Sequence, residues 1–194
     1  MLPNRLYHLY NRGNNRQNIF FEKRNFIYFL SKAQTHLLPH VDILAYCLMN
    51  NHFHFMINTK VNFQRSKFSN GLKIMLRSYT RAINKERGQT GSLFSQNTKI
   101  KQLETHGMTS SHAMSSANAD NYPLICFHYI HQNPVRASLV KKMEHWEMSS
   151  FQDYAGYRND TLCNKKLAYQ LLDLPSSPIH FIKESYKLLL EDNV

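Results

Sequence analysis

Acidic residues are scarce in this 194-residue chain. Thirteen Asp and Glu stand against 24 Lys and Arg, which gives a formal net charge of +11 at pH 7. A cationic excess of this size points to a polyanionic partner, with nucleic acid ahead of an anionic membrane surface. A basic surface without any specific partner is the alternative that charge alone leaves open.

The chain also lacks paired cysteines and long apolar runs. Cys47, Cys126 and Cys163 are an odd number without CxxC spacing, which argues against a disulfide framework or a cysteine-based zinc site. The polar start, MLPNRLYHLYNRGNNR, differs from a signal peptide, and no apolar run approaches membrane-spanning length. We therefore expect a cytoplasmic protein with no membrane partner.

Hydrophobic and aromatic residues, by contrast, are plentiful. They make up 42% of the chain and include 12 Phe and 11 Tyr, which is enough for one folded domain with a sizeable core. Periodicity predicts strands at 6–11, 42–49 and 52–59 and a strand pair around 92–96 and 100–104. It predicts helices from 25 to 38, from about 68 to 86, and from 123 to about 133.

This element order predicts an α+β fold. It resembles a split βαβ arrangement, with one antiparallel sheet and helices mainly on one face. Residues 42–49 are apolar on both sides, as expected of a central strand, and Pro134 should end the third helix at Asn133 because it disfavours helical geometry there. The small, polar residues 107–121 predict a flexible linker to that helix. Weaker helical patterns near 165–172 and 179–190 make residues 157–194 a C-terminal helical extension of a domain spanning 1–156.

The strand at 52–59 contains a His-Phe-His pattern. His52 and His54 are two residues apart, so both imidazoles project from one face of the strand, while Phe53 and Phe55 project from the other. Two imidazoles on a rigid strand form a partial ligand set for a divalent metal ion. An isolated HxH pair more often makes ordinary hydrogen bonds, so a third ligand is needed to favour a metal site.

The third predicted helix carries a second chemical pair. Tyr129 and Asn133 are four residues apart and share a helix face. A phenol can attack phosphorus, and an amide oxygen can complete a metal site held by two histidines. For this segment alone, a packed tyrosine and a helix-ending asparagine are the more frequent outcome.

Basic residues concentrate on the second predicted helix, where cations recur every four residues with no acid before Glu86. They are Lys73, Arg77, Arg81 and Lys85. Such a stripe suits phosphate contacts, which add affinity with little sequence information, although a merely solvated cationic face is an equal alternative. Further candidates for DNA contact are Arg12, Arg16 and Arg136.

Taken together, these segments resemble a known family. The strings YHLYNRGNNRQNIF, AYCLMNNHFHFMI, TGSLF, YIHQNPVRASLV and WEMSSFQDYAG are similar in order and spacing to the single-tyrosine HUH transposases. Within that family the sequence most resembles the REP-associated tyrosine transposases and their insertion-sequence relatives. The resemblance covers about residues 7–156 and implies a ferredoxin-like catalytic domain.

The resemblance also implies roles for individual residues. His52 and His54 would bind a divalent metal ion, Mg²⁺ or Mn²⁺, with Asn133 as third ligand, and Tyr129 would be the nucleophile. The expected activity is nicking and strand transfer on single-stranded, hairpin-forming DNA through a 5′-phosphotyrosine intermediate. The linker around 105–122 is longer than usual, so the tyrosine could serve its own site or, by helix exchange in a homodimer, its partner's.

Two alternatives remain open at this point. One is a domesticated relative with the same chemistry that processes chromosomal palindromes. The other is a nucleic-acid-binding module without catalysis.

Overall fold

The structure, a computed structural model, describes residues 1–103 and 122–191. The predicted linker at 107–121 lies outside these ranges. The strands are β1 (Leu6–Arg12), β2 (Val41–Met49), β3 (His52–Thr59) and β4 (Lys99–Leu103). The helices are α1 (Lys23–His36), α2 (Arg65–Arg87), α3 (Tyr122–Arg136), α4 (Phe151–Tyr154), α5 (Lys165–Leu172) and α6 (Pro178–Glu191). Within the described ranges, none of the helices combines the length and apolarity needed to cross a membrane.

The four strands form one antiparallel sheet in the order β2-β3-β1-β4. Tyr10 on β1 lies opposite His54 on β3, and Arg12 lies opposite His52. Since directly opposed residues project to the same side, this register sets β1 side chains beside the two histidines. The predicted α+β fold with an antiparallel sheet is confirmed.

Helices α1 and α2 cover one face of the sheet, as expected. Phe53, Phe55 and Ile57 project from β3 into this core, where the ring of Phe29 on α1 lies 5.0 Å from those of Phe53 and of Tyr79 on α2. The two helices approach closely at Gly71, where an added Cβ would collide with the backbone carbonyl oxygen of His36. This core anchors β3 from behind.

The opposite face carries a second helical layer, whereas the sequence predicts helices mainly on one face. Phe127 and Ile130 of α3 pack with Met56 and with the C-terminal helices, including the fully buried Phe181 of α6. The residues predicted as a C-terminal extension therefore share a core with α3. Helix α3 lies across β2 and β3 on the face that carries His52 and His54.

Strand β2 is a sheet edge, so the prediction of a central strand is wrong. Its side chains are buried because both cores cover it, which explains the uninterrupted apolar pattern. Its outer edge is covered by residues 148–164 instead of by a strand: the backbone N–H of Ser150 donates to Tyr46 O at 3.0 Å, and that of Asn164 donates to Ile43 O at 2.8 Å. Chain segments can satisfy an edge without forming a regular strand.

The predicted strand pair is only half present. Residues 99–103 form β4, but residues 92–96 make a single bridge, between Phe94 and Gly13. Phe94 points into the α1–α2 core, and the amide nitrogen of Asn11 donates to Ser95 O at 3.2 Å and to Thr98 Oγ1 at 2.9 Å. These side-chain contacts and the single bridge hold the segment beside the end of β1 without a second regular strand.

Candidate active site

His54 lies buried at the centre of the second face. Its Nδ1 is 2.8 Å from Nε2 of His8 on β1, and the two rings stack at 5.0 Å with an interplanar angle of 25°. Tyr10, which lies opposite His54 in the sheet, stacks on it with the two ring centroids 5.6 Å apart. Burial lowers the pKa of His54 well below its usual value and that of His8 to about 4, so both rings are neutral near pH 7.

His52 lies at the start of β3, partly exposed. Its Nδ1 is 2.6 Å from the side-chain oxygen of Asn51, and its ring is perpendicular to that of His54 at 5.0 Å. Burial lowers the pKa of His52, and a hydrogen bond with the Asn133 side chain opposes this shift. The predicted pair of histidines therefore shares one face, and Asn133 reaches it from α3.

Tyr129 projects from α3 toward the histidines. Its ring centroid is 6.0 Å from that of His54 and 6.5 Å from that of His8, both edge to face. The side chain is 38% exposed, and burial raises the pKa of its phenol while the nearby Arg136 guanidinium, 5.7 Å from the ring, lowers it. A phenol in this position is accessible but protonated near pH 7.

Asn133 explains why α3 continues past Pro134 to Arg136 instead of ending where the sequence predicts. Proline has no N–H to donate to Ile130 O, but the Asn133 side-chain amide reaches that carbonyl at 3.4 Å and Tyr129 O at 2.8 Å. Because the amide nitrogen faces these backbone oxygens, the amide oxygen is left for other partners. The hydrogen bonds of the Asn133 side chain that accompany the extension of α3 past Pro134 therefore also orient the Asn133 amide oxygen.

A cleft of about 620 Å³ opens beside these residues. Its lining contains Tyr129, His52 and His54 together with the predicted DNA contacts Arg12 and Arg16, and none of the described lining residues is Asp or Glu. A cleft lined by these cations is electrostatically suited to a phosphodiester.

The other predicted DNA-binding residues are placed separately. Lys73, Arg77 and Arg81 line a second cleft of about 630 Å³ between α2 and residues 92–98, and Lys85 is exposed outside both clefts. Arg136 lies beside Tyr129 and donates to the side-chain oxygen of Gln132 at 2.9 Å. The structure thus brings together Tyr129, Asn133, the two histidines and three arginines, and places Lys73, Arg77 and Arg81 of the α2 stripe at an adjoining cleft.

The sequence that builds this site matches a known protein family. The model of the IS200-like transposases matches residues 2–133, which is more than half of the chain and includes His52, His54 and Tyr129. The chain belongs to the IS200-like transposase family. A search of curated proteins finds no similar sequence.

The fold of this transposase is also found among solved structures. It matches a REP-associated tyrosine transposase bound to a REP hairpin, with a TM-score of 0.57 and 11% sequence identity. The match covers 84% of this chain and 93% of the other. At this identity the likeness concerns the fold.

The donor atoms of the transposase site fit a divalent metal ion. Two imidazoles and an amide oxygen suit a hard or borderline cation, and Nδ1 of each histidine already has a partner, as is usual for metal-binding histidines. Among the described residues, no group of three His, Cys, Asp or Glu side chains is arranged to hold a metal. The fit therefore depends on Asn133, and the ligand roles stay predictions.

Sequence reasoning missed three residues of the site: His8, Tyr10 and Asn51. His8 and Tyr10 alternate with Tyr7 and Leu9 along β1, so the period of two already assigned them to a common face. The spacing of residues does not show that β1 pairs with β3, and this pairing brings His8 and Tyr10 next to His54. Asn51 lies in the turn between β2 and β3, immediately before His52.

Proposed function

We propose that this transposase cuts and rejoins single-stranded, hairpin-forming DNA through a covalent bond between Tyr129 and a 5′-phosphate. The observation that carries the proposal is the position of the Tyr129 ring, 6.0 Å from His54 at a cationic cleft. Family membership supplies the reaction class, and this geometry indicates the nucleophile.

The residues have separate tasks in the proposed reaction. His52, His54 and the Asn133 oxygen would hold a Mg²⁺ or Mn²⁺ ion, which when bound polarises the phosphate and stabilises negative charge in the transition state. The Tyr129 oxygen attacks phosphorus and gives up its proton, the bond from phosphorus to the 3′-oxygen breaks, and the leaving 3′-oxygen takes up a proton. Arg136 favours the phenolate because its positive charge lowers the Tyr129 pKa.

The phosphotyrosine bond retains the energy of the phosphodiester. A different DNA 3′-hydroxyl can therefore attack it, release Tyr129 and join two strands without a nucleotide cofactor. A nuclease that activates water would lose this option, so a tyrosine nucleophile suits strand transfer.

Two clefts are available for the DNA. Arg12 and Arg16 would contact phosphates beside Tyr129, while Lys73, Arg77 and Arg81 would contact a more distant part of the strand. The two clefts share Asn11, Ser95 and Gln96 in their linings. The structural neighbour is bound to a REP hairpin, which supports a hairpin substrate for this chain as well.

Covalent capture tests the proposal. Purified protein with Mg²⁺ or Mn²⁺ and a hairpin-bearing single-stranded oligonucleotide should give an adduct that survives denaturing electrophoresis. Tyr129→Phe should abolish the adduct while DNA binding persists, because only the nucleophilic oxygen is removed. Tyr10→Phe is the matched control, since Tyr10 lines the same cleft. An adduct formed by the Tyr129→Phe variant would refute the assignment of the nucleophile.

The same assay separates the alternatives. A non-catalytic binding module would bind the oligonucleotide and form no adduct with any variant. A domesticated relative would form the adduct, and its genomic context would separate it from a mobile element: a single isolated copy favours domestication, whereas many copies flanked by inverted repeats favour a mobile element.

A further inference from the structure

His8, on a neighbouring strand, makes a close side-chain contact with the proposed metal ligand His54. It lies on β1, 7% exposed, with Nε2 at 2.8 Å from Nδ1 of His54, which is itself 6% exposed. Their rings stack at 5.0 Å. His54 lines the cleft beside Tyr129, whereas His8 is buried and is not among the described lining residues.

Two ring nitrogens at hydrogen-bond distance share one hydrogen, so one of them donates and the other accepts. The direction has a chemical consequence because a neutral imidazole carries a single N–H. If His54 donates from Nδ1, its Nε2 has a free lone pair and can bind a metal ion. If His8 donates instead, the N–H of His54 is on Nε2 and that nitrogen cannot bind a metal.

The other histidine of the pair indicates the direction. Nδ1 of His52 lies 2.6 Å from the side-chain oxygen of Asn51, and an amide oxygen can only accept, so this contact favours a hydrogen on Nδ1 of His52. The same tautomer at His54 would leave both histidines with Nε2 as the lone-pair nitrogen. A partner on Nδ1 that fixes tautomer and ring orientation is the usual arrangement behind a metal-binding histidine.

We propose that His8 is a positioning residue, whose Nε2 accepts the Nδ1 hydrogen of His54 and thereby holds Nε2 of His54 in the metal-binding form. The proposal rests on the metal-dependent function proposed above. His8 itself touches neither the DNA nor the metal ion in this scheme.

Nuclear magnetic resonance of the metal-free, ¹⁵N-histidine-labelled protein tests the tautomer directly. Two-bond ¹H–¹⁵N correlations should show His54 with a protonated Nδ1 and a bare Nε2. The opposite pattern, with the hydrogen on Nε2 of His54, would overturn the proposal. This result does not depend on catalysis, so it stands apart from failure of the covalent adduct.

Substitution of His8 tests the consequence for metal binding. His8→Phe keeps a stacked ring but removes the acceptor, and Mn²⁺ affinity measured by titration calorimetry should fall about 10- to 100-fold. His8→Gln offers an amide oxygen near the position of Nε2 and should recover most of the loss. Wild-type affinity in a folded His8→Phe protein, or no difference between the two variants, would contradict the proposal.

His145→Phe is the matched control, because it makes the same substitution at an exposed histidine outside the described clefts. Its Mn²⁺ affinity should equal that of the wild type. Should His8→Phe fail to fold, the tautomer measurement on the unaltered protein still decides the question.

Discussion

At the scale of single residues, the site depends on side chains whose polar groups are already oriented before any ligand binds. The Asn133 nitrogen is occupied by the carbonyls of Tyr129 and Ile130, which leaves its oxygen for the histidine side. His52 is oriented by Asn51 and His54 by His8. Preorientation lowers the entropic cost of assembling a metal site, since fewer rotamers must be restricted on binding.

Removal of one proposed ligand tests the metal site. His52→Ala should weaken Mn²⁺ binding by at least about tenfold, because a ligand matters at least as much as the outer-shell partners whose loss costs 10- to 100-fold. Calorimetric titration measures the effect. His145→Ala is the control, since His145 is exposed and lies outside the described clefts. Equal affinity of the His52→Ala and wild-type proteins would exclude His52 as a ligand.

At the scale of elements, α2 has two faces with different tasks. One face packs Leu72, Met75, Tyr79 and Ile83 into the first core. The other face carries exposed cations, and no ion pair formed within the described residues involves Lys73, Arg77, Arg81 or Lys85. Unpaired cations beside a cleft can exchange their counterions for phosphates, so DNA binding is their expected use.

The α2 stripe can be tested by salt dependence. The double variant Arg77→Ala and Arg81→Ala should bind the hairpin oligonucleotide more weakly, with a slope of log affinity against log salt reduced by about two, because each lost phosphate contact lowers the slope by about one. Fluorescence anisotropy at several salt concentrations measures both. Lys141→Ala with Lys142→Ala removes the same charge from another exposed site and should change the slope less. Equal slopes for both double variants would leave α2 as a solvated surface.

At the scale of the whole molecule, the C-terminal part supports the site. Residues 148–164 cover the edge of β2, where Arg158 bonds both oxygens of the buried Asp153 and the hydroxyl of Tyr46. Helix α6 packs on α3, with Ser185 Oγ 2.8 Å from Nδ1 of the buried His128. Helix α3 lies on the face of the sheet that carries the histidines of the same chain, and on that basis we predict that the tyrosine acts in cis.

Complementation between inactive variants tests this inference. A mixture of Tyr129→Phe and His52→Ala proteins should form no covalent adduct, because no single chain then contains both the tyrosine and the intact histidine pair. Denaturing electrophoresis of the mixture, incubated together with DNA and metal, gives the measurement. Recovery of adduct would show instead that helices are exchanged in a homodimer.

Local patterns in the sequence determined much of this protein. Alternation along β3 set His52 and His54 on one face, and β3 and α5 have the bounds that were predicted. Four-residue spacing placed Tyr129 and Asn133 on one side of α3. Such patterns succeed because the periods of strands and helices are properties of the local backbone.

Only the tertiary structure decided how distant segments meet. The contact between His8 and His54 depends on the register of β1 against β3, and the helical position of Pro134 depends on a side chain that replaces its missing N–H. The burial of β2 at a sheet edge required two cores and a covering segment. Register and packing arise from the sum of many contacts far apart in the chain, and the spacing of residues within one segment does not contain them.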